Sequence, residues 1–266
     1  MDRSILNKYK NQEERLILSK IIDKIDFCEK RNQIQVTNFF DLSKQELISK
    51  FLQYQKINNA FFYGGYEQAE RKALIIYPEK YEELIKENKI SLEDWIKVIK
   101  ITLPNDNIGE YKHQNYLGGL IKLGLNREKI GDIVVDEKGA DIIINNDIEN
   151  FLLNNLNSLT RFQKAKVESI KIYEIRQVEI KTEIIKITVS SMRLDNIIAE
   201  LVGCSRNKAS QILMSERVFV NYENVTKPTK EIKENDKITI RGKGRFKINK
   251  IIGNTKKDRI ILEVEK

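Results

Sequence analysis

The sequence predicts an α+β protein in three parts. Residues 1–71 form an α-rich, helical N-terminal part, residues 72–180 a ferredoxin-like βαββαβ part, and residues 187–266 a small basic module of helices and strands. Three observations predict this. Apolar residues recur at helical spacing near the N-terminus. Strand-like and helix-like stretches alternate in the order βαββαβ between Trp95 and Ile170. The charge is segregated: residues 191–266 hold 17 Lys and Arg against 10 Asp and Glu, a net +7 of the chain's +8.

Leu18, Ile21, Ile22 and Ile25 fall at i, i+3, i+4 and i+7, which predicts a helix over 12–29. The chain then turns polar and extended through Val36–Phe40. Ser43 with Glu46 reads as a capping box, opening a helix whose apolar face carries Leu47, Ile48, Phe51, Tyr54 and Ile57. Residues 61–71, FFYGGYEQAER, set three aromatics before Gly64-Gly65 and one after. Composition favours a tight turn with packed aromatics; base stacking is the competing reading. A strand is expected at Ala73–Tyr77, ended by Pro78.

Strands are then expected at Trp95–Leu103, Ile130–Val135, Ala140–Ile144 and Ala165–Ile170. Helices are expected at His113–Leu123, closed by Gly124, and at Asp147–Leu156, capped by Asp147. This order is the ferredoxin-like split unit. RNA-recognition motifs share the topology, but so do many enzymes, and these strands lack the aromatic signature of such motifs. His113, the single histidine, reads as structural or solvent-facing. Residues 172–190 read as an extended connector that feeds a strand at Ile187–Val189.

In the basic module, Leu194, Ile197, Ile198 and Leu201 make one apolar stripe. Gly203 suits the break and Ser205 the next N-cap. A second helix over 206–215 buries Ala209, Ile212 and Leu213 and leaves Arg206, Lys208 and Gln211 outside. Val218 and Val220 alternate as a strand, 221–224 turns, and Ile238 and Ile240 lead into Arg241-Gly242-Lys243-Gly244-Arg245. Arg193, Arg217 and Lys247 add to these cations. Long cationic side chains on a small scaffold are what a phosphate backbone needs, and the Arg fork suits it best. The apolar stripes lie elsewhere, so these cations are expected to serve binding and not the fold.

This stretch resembles the S4-type, or alpha-L, RNA-binding domain, through Arg193-Leu194-Asp195, Ser205-Arg206, Ala209 and Val218-Phe219-Val220-Asn221. The resemblance implies that Arg193, Ser205, Arg206 and Lys208 face structured RNA, and that Asp195 orients or pairs with a cation. The candidate RNA-binding set is Arg193, Ser205, Arg206, Lys208, Gln211, Arg217, Arg241, Lys243, Arg245 and Lys247. Beyond this module, the chain resembles the YlmH family through residues 62–71, 117–133, 190–195 and 241–247. That resemblance implies a bacterial, ribosome-associated RNA-binding protein. It would bind ribosomal RNA and tRNA on a large subunit that still carries peptidyl-tRNA, and serve ribosome-associated quality control of stalled translation.

No apolar run approaches the ~18 residues of a membrane helix, and the N-terminus lacks a signal-peptide core, so a cytoplasmic monomer is expected. Cys28 and Cys204 stand far apart with no metal-ligand spacing, so neither a disulfide, a metal nor a cofactor is expected. No catalytic residue is assigned. The rival readings are the targeting module of an RNA-modifying activity and a nucleic-acid-binding cell-division factor. A methyltransferase needs a Gly-rich strand-to-helix loop, a tyrosyl-tRNA synthetase a His-rich signature, and a pseudouridine synthase a large catalytic domain after the module. None of these signatures is present.

Overall fold

A computed structural model describes residues 3–87, 89–176, 183–221 and 223–266. The chain divides into two compact units, Met1–Val178 and Glu179–Lys266. Of the expected connector over 172–190, residues 177–182 lie outside the described residues; Ile172–Glu174 make a 3-10 turn, and the strand expected at 187–189 runs over Ile184–Val189.

In the first unit, α1 (Gln12–Arg31) is capped by Asn11, whose side chain accepts from Glu13 N, and buries Leu18, Ile21, Ile22, Ile25 and Cys28. Each such side chain contributes about 1.5–3 kcal/mol by leaving water. After β1 (Gln35–Phe40) comes α2 (Leu42–Tyr54). The predicted capping box does not form. Asp41, outside the first turn, accepts from Lys44 N at 3.0 Å, whereas Ser43 is already helical and Glu46 pairs with Lys50. Tyr54 also leaves the predicted apolar face: it is exposed, with Lys8 Nζ over its ring. The sequence showed the helices here and two of the strands they pack on, but not β2 or the pairing. β2 (Ala60–Tyr63) and β3 (Lys72–Ile76) join β1 in an antiparallel sheet of order β1-β3-β2.

A short α3 (Glu82–Lys86) precedes β4 (Ile96–Thr102), α4 (His113–Lys122), β5 (Ile130–Asp136), β6 (Gly139–Asn145), α5 (Glu149–Asn155) and β7 (Lys166–Ile170). The strand order β5-β6-β4-β7, antiparallel throughout, is the ferredoxin-like arrangement. Asp147 does not cap α5: it sits in a 3-10 turn before the helix and pairs with Lys129. Helices α4 and α5 cover one face of this sheet through Tyr116, Leu120 and Leu152. On the other face Ile96, Val98 and Ile143 pack against Phe39, Ala73 and Ile75 of the first sheet. Both faces are covered, so every residue of β6 is buried.

The second unit has a six-stranded sheet of order β10-β9-β11-β12-β13-β8. Its members are β8 (Ile184–Val189), β9 (Val218–Val220), β10 (Glu223–Asn224), β11 (Lys237–Ile240), β12 (Gly244–Asn254) and β13 (Ile260–Glu265). Helices α6 (Leu194–Val202) and α7 (Arg206–Met214) pack Leu194, Ile197, Ile198, Ala209 and Leu213 onto Val218, Val220, Ile238, Ile240, Phe246 and Ile248. Gly203 ends α6 at φ 68°, a conformation that costs glycine little. Ser205 caps α7 by accepting from Lys208 N at 3.3 Å. The start of α6 is satisfied by backbone instead, with Leu194 N donating to Lys230 O and Asp195 N to Pro228 O.

Candidate nucleic-acid interface

Asp195 lies in the first turn of α6 and is 3% exposed. Its carboxylate is bracketed by two guanidiniums. Arg193 donates from Nε to Oδ1 at 3.1 Å and from NH2 to Oδ2 at 2.9 Å, and Arg206 donates to Oδ2 at 2.9 Å. Burial pushes the Asp195 carboxyl up, but the two arginines outweigh it and hold it below the usual carboxylate range. The same hydrogen bond raises Arg193. The arginine side chains remain 42% and 54% exposed against 5% for Asp195. A guanidinium has five N–H donors, so most of them are left over in a fixed orientation, with one net positive charge. The expectation that these arginines take no part in the fold is thus corrected: both satisfy a buried carboxylate. The expectation that Asp195 pairs with a cation matches this geometry.

Lys208 and Gln211 follow on the exposed side of α7, and Ser205 spends its hydroxyl on the cap. A second group gathers at the β11–β12 hairpin. Arg217 NH2 donates to Arg241 O at 2.8 Å, and Arg241 N donates to Arg217 O at 2.9 Å. The Arg241 guanidinium lies 4.8 Å from the centre of the Phe219 ring, a cation–π distance. Gly242 suits this turn because its φ is +81°, a conformation that side-chain-bearing residues rarely adopt. Lys243 is exposed beside it.

Strand alternation splits the candidate set. Phe246 and Ile248 point to the helices, so Arg245 and Lys247 between them leave from the opposite sheet face. Phe219, Thr239 and Arg245 are cross-strand partners on that face, and Lys237 stands opposite Lys247. Lys237 was missed in the sequence because nothing local fixes the register. The structure therefore brings Arg193, Ser205, Arg206, Lys208 and Gln211 together on the helices. It brings Arg241, Arg245 and Lys247 together around Phe219 on the outer sheet face, with Arg217 and Lys243 at the hairpin tip.

The aromatic stretch at 61–71 packs. Phe62 joins the α1–α2 core, and Phe61, Tyr63 and Tyr66 the core between the two sheets. Gly64 has no room for a side chain, since a Cβ would fall 2.4 Å from Ala69 Cβ and 2.7 Å from Arg71 O. The stretch closes on Asp132, which accepts from the Tyr66 hydroxyl at 2.9 Å, Glu70 N at 2.7 Å and Arg71 N at 3.0 Å. Arg71 donates onward to the Ile130 and Phe39 carbonyls, and Arg127 to those of Ile130 and Gly131. Burial raises Asp132 and Tyr66, and it lowers Arg127 to about 10.

Two family models match the chain: "Putative RNA-binding domain in YlmH" over residues 91–183 and the S4 domain over residues 192–238. The chain is 31% identical over 250 residues to the Ribosome-associated protein quality control protein P2 of Bacillus subtilis, covering 93% of each. The solved structure of Cell division protein ylmH from Streptococcus pneumoniae is similar at 19% identity with a TM-score of 0.49, over 63% of this chain and 98% of that one. With a relative of this identity along nearly the whole length and both domain models in order, the chain belongs to the YlmH family.

Proposed function

We propose that this protein binds RNA through its second unit and acts on the large ribosomal subunit in quality control of stalled translation, with ribosomal RNA and peptidyl-tRNA as partners. The observation that carries the RNA part is the Asp195 bracket: two half-exposed guanidiniums held in place on one carboxylate. Preorganised forks of this kind bind phosphate with little further ordering cost. The ribosomal part rests on the relative's name, which says ribosome-associated quality control. The protein acts as a binder, and no covalent step is assigned to it.

The test is co-sedimentation with large subunits. Ribonuclease is expected to release the protein and deoxyribonuclease to leave it bound. With about five phosphates engaged, log K should fall with log[salt] at a slope of about −4 to −5. Release by neither nuclease together with a flat salt response would reject the reading.

A further inference from the structure

The first unit holds a cavity of about 450 Å³ that no functional assignment above uses. Its walls are α1 with Lys20 and Lys24, β1 with Asn38, and the ferredoxin-like part with Trp95, Lys129 and Asn145. Lys20 and Lys24 are one helical turn apart. Among the described residues neither has a carboxylate within ion-pair distance. The other cation of the wall, Lys129, is taken by Asp147. Burial, and then the charge of Lys129, hold the Lys24 ammonium below its usual range. A half-buried ammonium that meets only another cation lacks an anion. The two asparagine amides of the wall are engaged: Asn145 Nδ2 donates to Thr37 O at 3.1 Å and Asn38 Nδ2 to Glu128 Oε2 at 3.4 Å. The indole of Trp95, the one tryptophan of the chain, adds a flat apolar surface.

We propose that this cavity binds one nucleotide, with its phosphate on Lys20 and Lys24 and its base against Trp95. The volume is in the range of small-ligand sites. Inorganic phosphate would use the lysines and leave the indole idle. Asp94, Glu128 and Asp147 line the same wall, so an anion fits on the Lys20 and Lys24 side alone; a nucleotide puts one phosphate there, whereas an acidic peptide would bring further carboxylates against those three. The nucleotide comes either free or as an unpaired residue of an RNA strand, and the strand source rests on the RNA-binding reading above.

Trp95 is the reporter, because its emission is the only indole signal in the chain. The full-length protein is titrated with the four ribonucleoside monophosphates, a short single-stranded RNA, inorganic phosphate and a nucleoside. A monophosphate or the RNA is expected to quench Trp95 saturably, with phosphate and nucleoside far weaker. Lys24→Gln is expected to weaken that binding about tenfold at unchanged melting temperature. Saturation by a monophosphate assigns a free nucleotide, and saturation by the RNA alone assigns a strand. No saturable quenching by either, equal affinity in the Lys24→Gln variant, or a response to phosphate as strong as to nucleotide would overturn the proposal. If the parent protein fails to pellet with large subunits, the ribosomal reading falls while the mononucleotide titration stands.

Discussion

Two aspartates withdrawn from solvent, one in each unit, do opposite things. Asp132 accepts from a tyrosine hydroxyl and two backbone amides, and the arginines beside it spend their donors on carbonyls. Asp195 accepts from two arginines whose side chains stay about half in water. The first arrangement turns inward and joins the 61–71 loop to β5. The second turns outward and presents cations. An Asp beside Arg in sequence motifs has either meaning, and the exposure of the partners decides which.

The largest expected effect breaks the inward site. Asp132→Ala strands the Tyr66 hydroxyl and two amides and removes one of the carboxylates that face Arg71 and Arg127, leaving Asp41. A loss of about 3 kcal/mol is expected in urea unfolding followed by Trp95 emission. Asp132→Asn should lose only about 1 kcal/mol, because its one amide oxygen can still accept from the Tyr66 hydroxyl and Glu70 N and only the bond to Arg71 N is given up. Parental stability in Asp132→Ala would show that the loop does not depend on this residue.

Asp195→Asn sharpens the comparison from the other side. It raises the net charge by one, yet RNA affinity is expected to fall about tenfold, because the guanidiniums lose their bracket. Tighter binding by this variant would mean that charge alone, and not orientation, sets affinity.

Arg206→Ala with Lys208→Ala should cost under about 1 kcal/mol of stability, since Arg193 still holds Asp195 through two bonds. Binding should weaken, and the salt slope should shrink by about 1.4–1.8, two phosphate contacts' worth. An unchanged slope would move the interface to the outer sheet face around Phe219.

The smallest effect is on pH dependence, and its sign differs between the units. The folded value of Asp195 is depressed, so its contribution is complete above the unfolded carboxylate value of about 3.9. It is lost as pH falls through the depressed value. The folded value of Asp132 is raised, so its contribution is complete below about 3.9 and is lost as pH rises through the raised value. Trp95 emission reads the first unit, and amide resonances of α6 read the second. Parallel acid curves for the two units would contradict the assigned environments.

Periodicity alone determined much of this protein. The 3.6-residue spacing in 12–29 and 194–201 and the element order from Trp95 to Ile170 came through, with ends shifted by a residue or two. Ser205 and Gly203 were legible as caps because their side-chain chemistry is local. Ser43 and Asp147 were misread as caps because a cap is set by which residue sits just outside the first turn, and spacing does not say this. Of the sheet under α1 and α2, the extended stretch 36–40 and the strand at 73–77 were legible; β2 and the pairing were hidden, because β2 is short and β1 meets β3 only across α2. The cations of the second unit were legible one by one. Their division into a helical group and a sheet-face group was not, since it depends on the register of β9, β11 and β12. The arginine bracket depends on α6 and α7 bringing residues 193, 195 and 206 to one carboxylate. That contact is long-range in sequence for Arg206, and only tertiary packing supplies it.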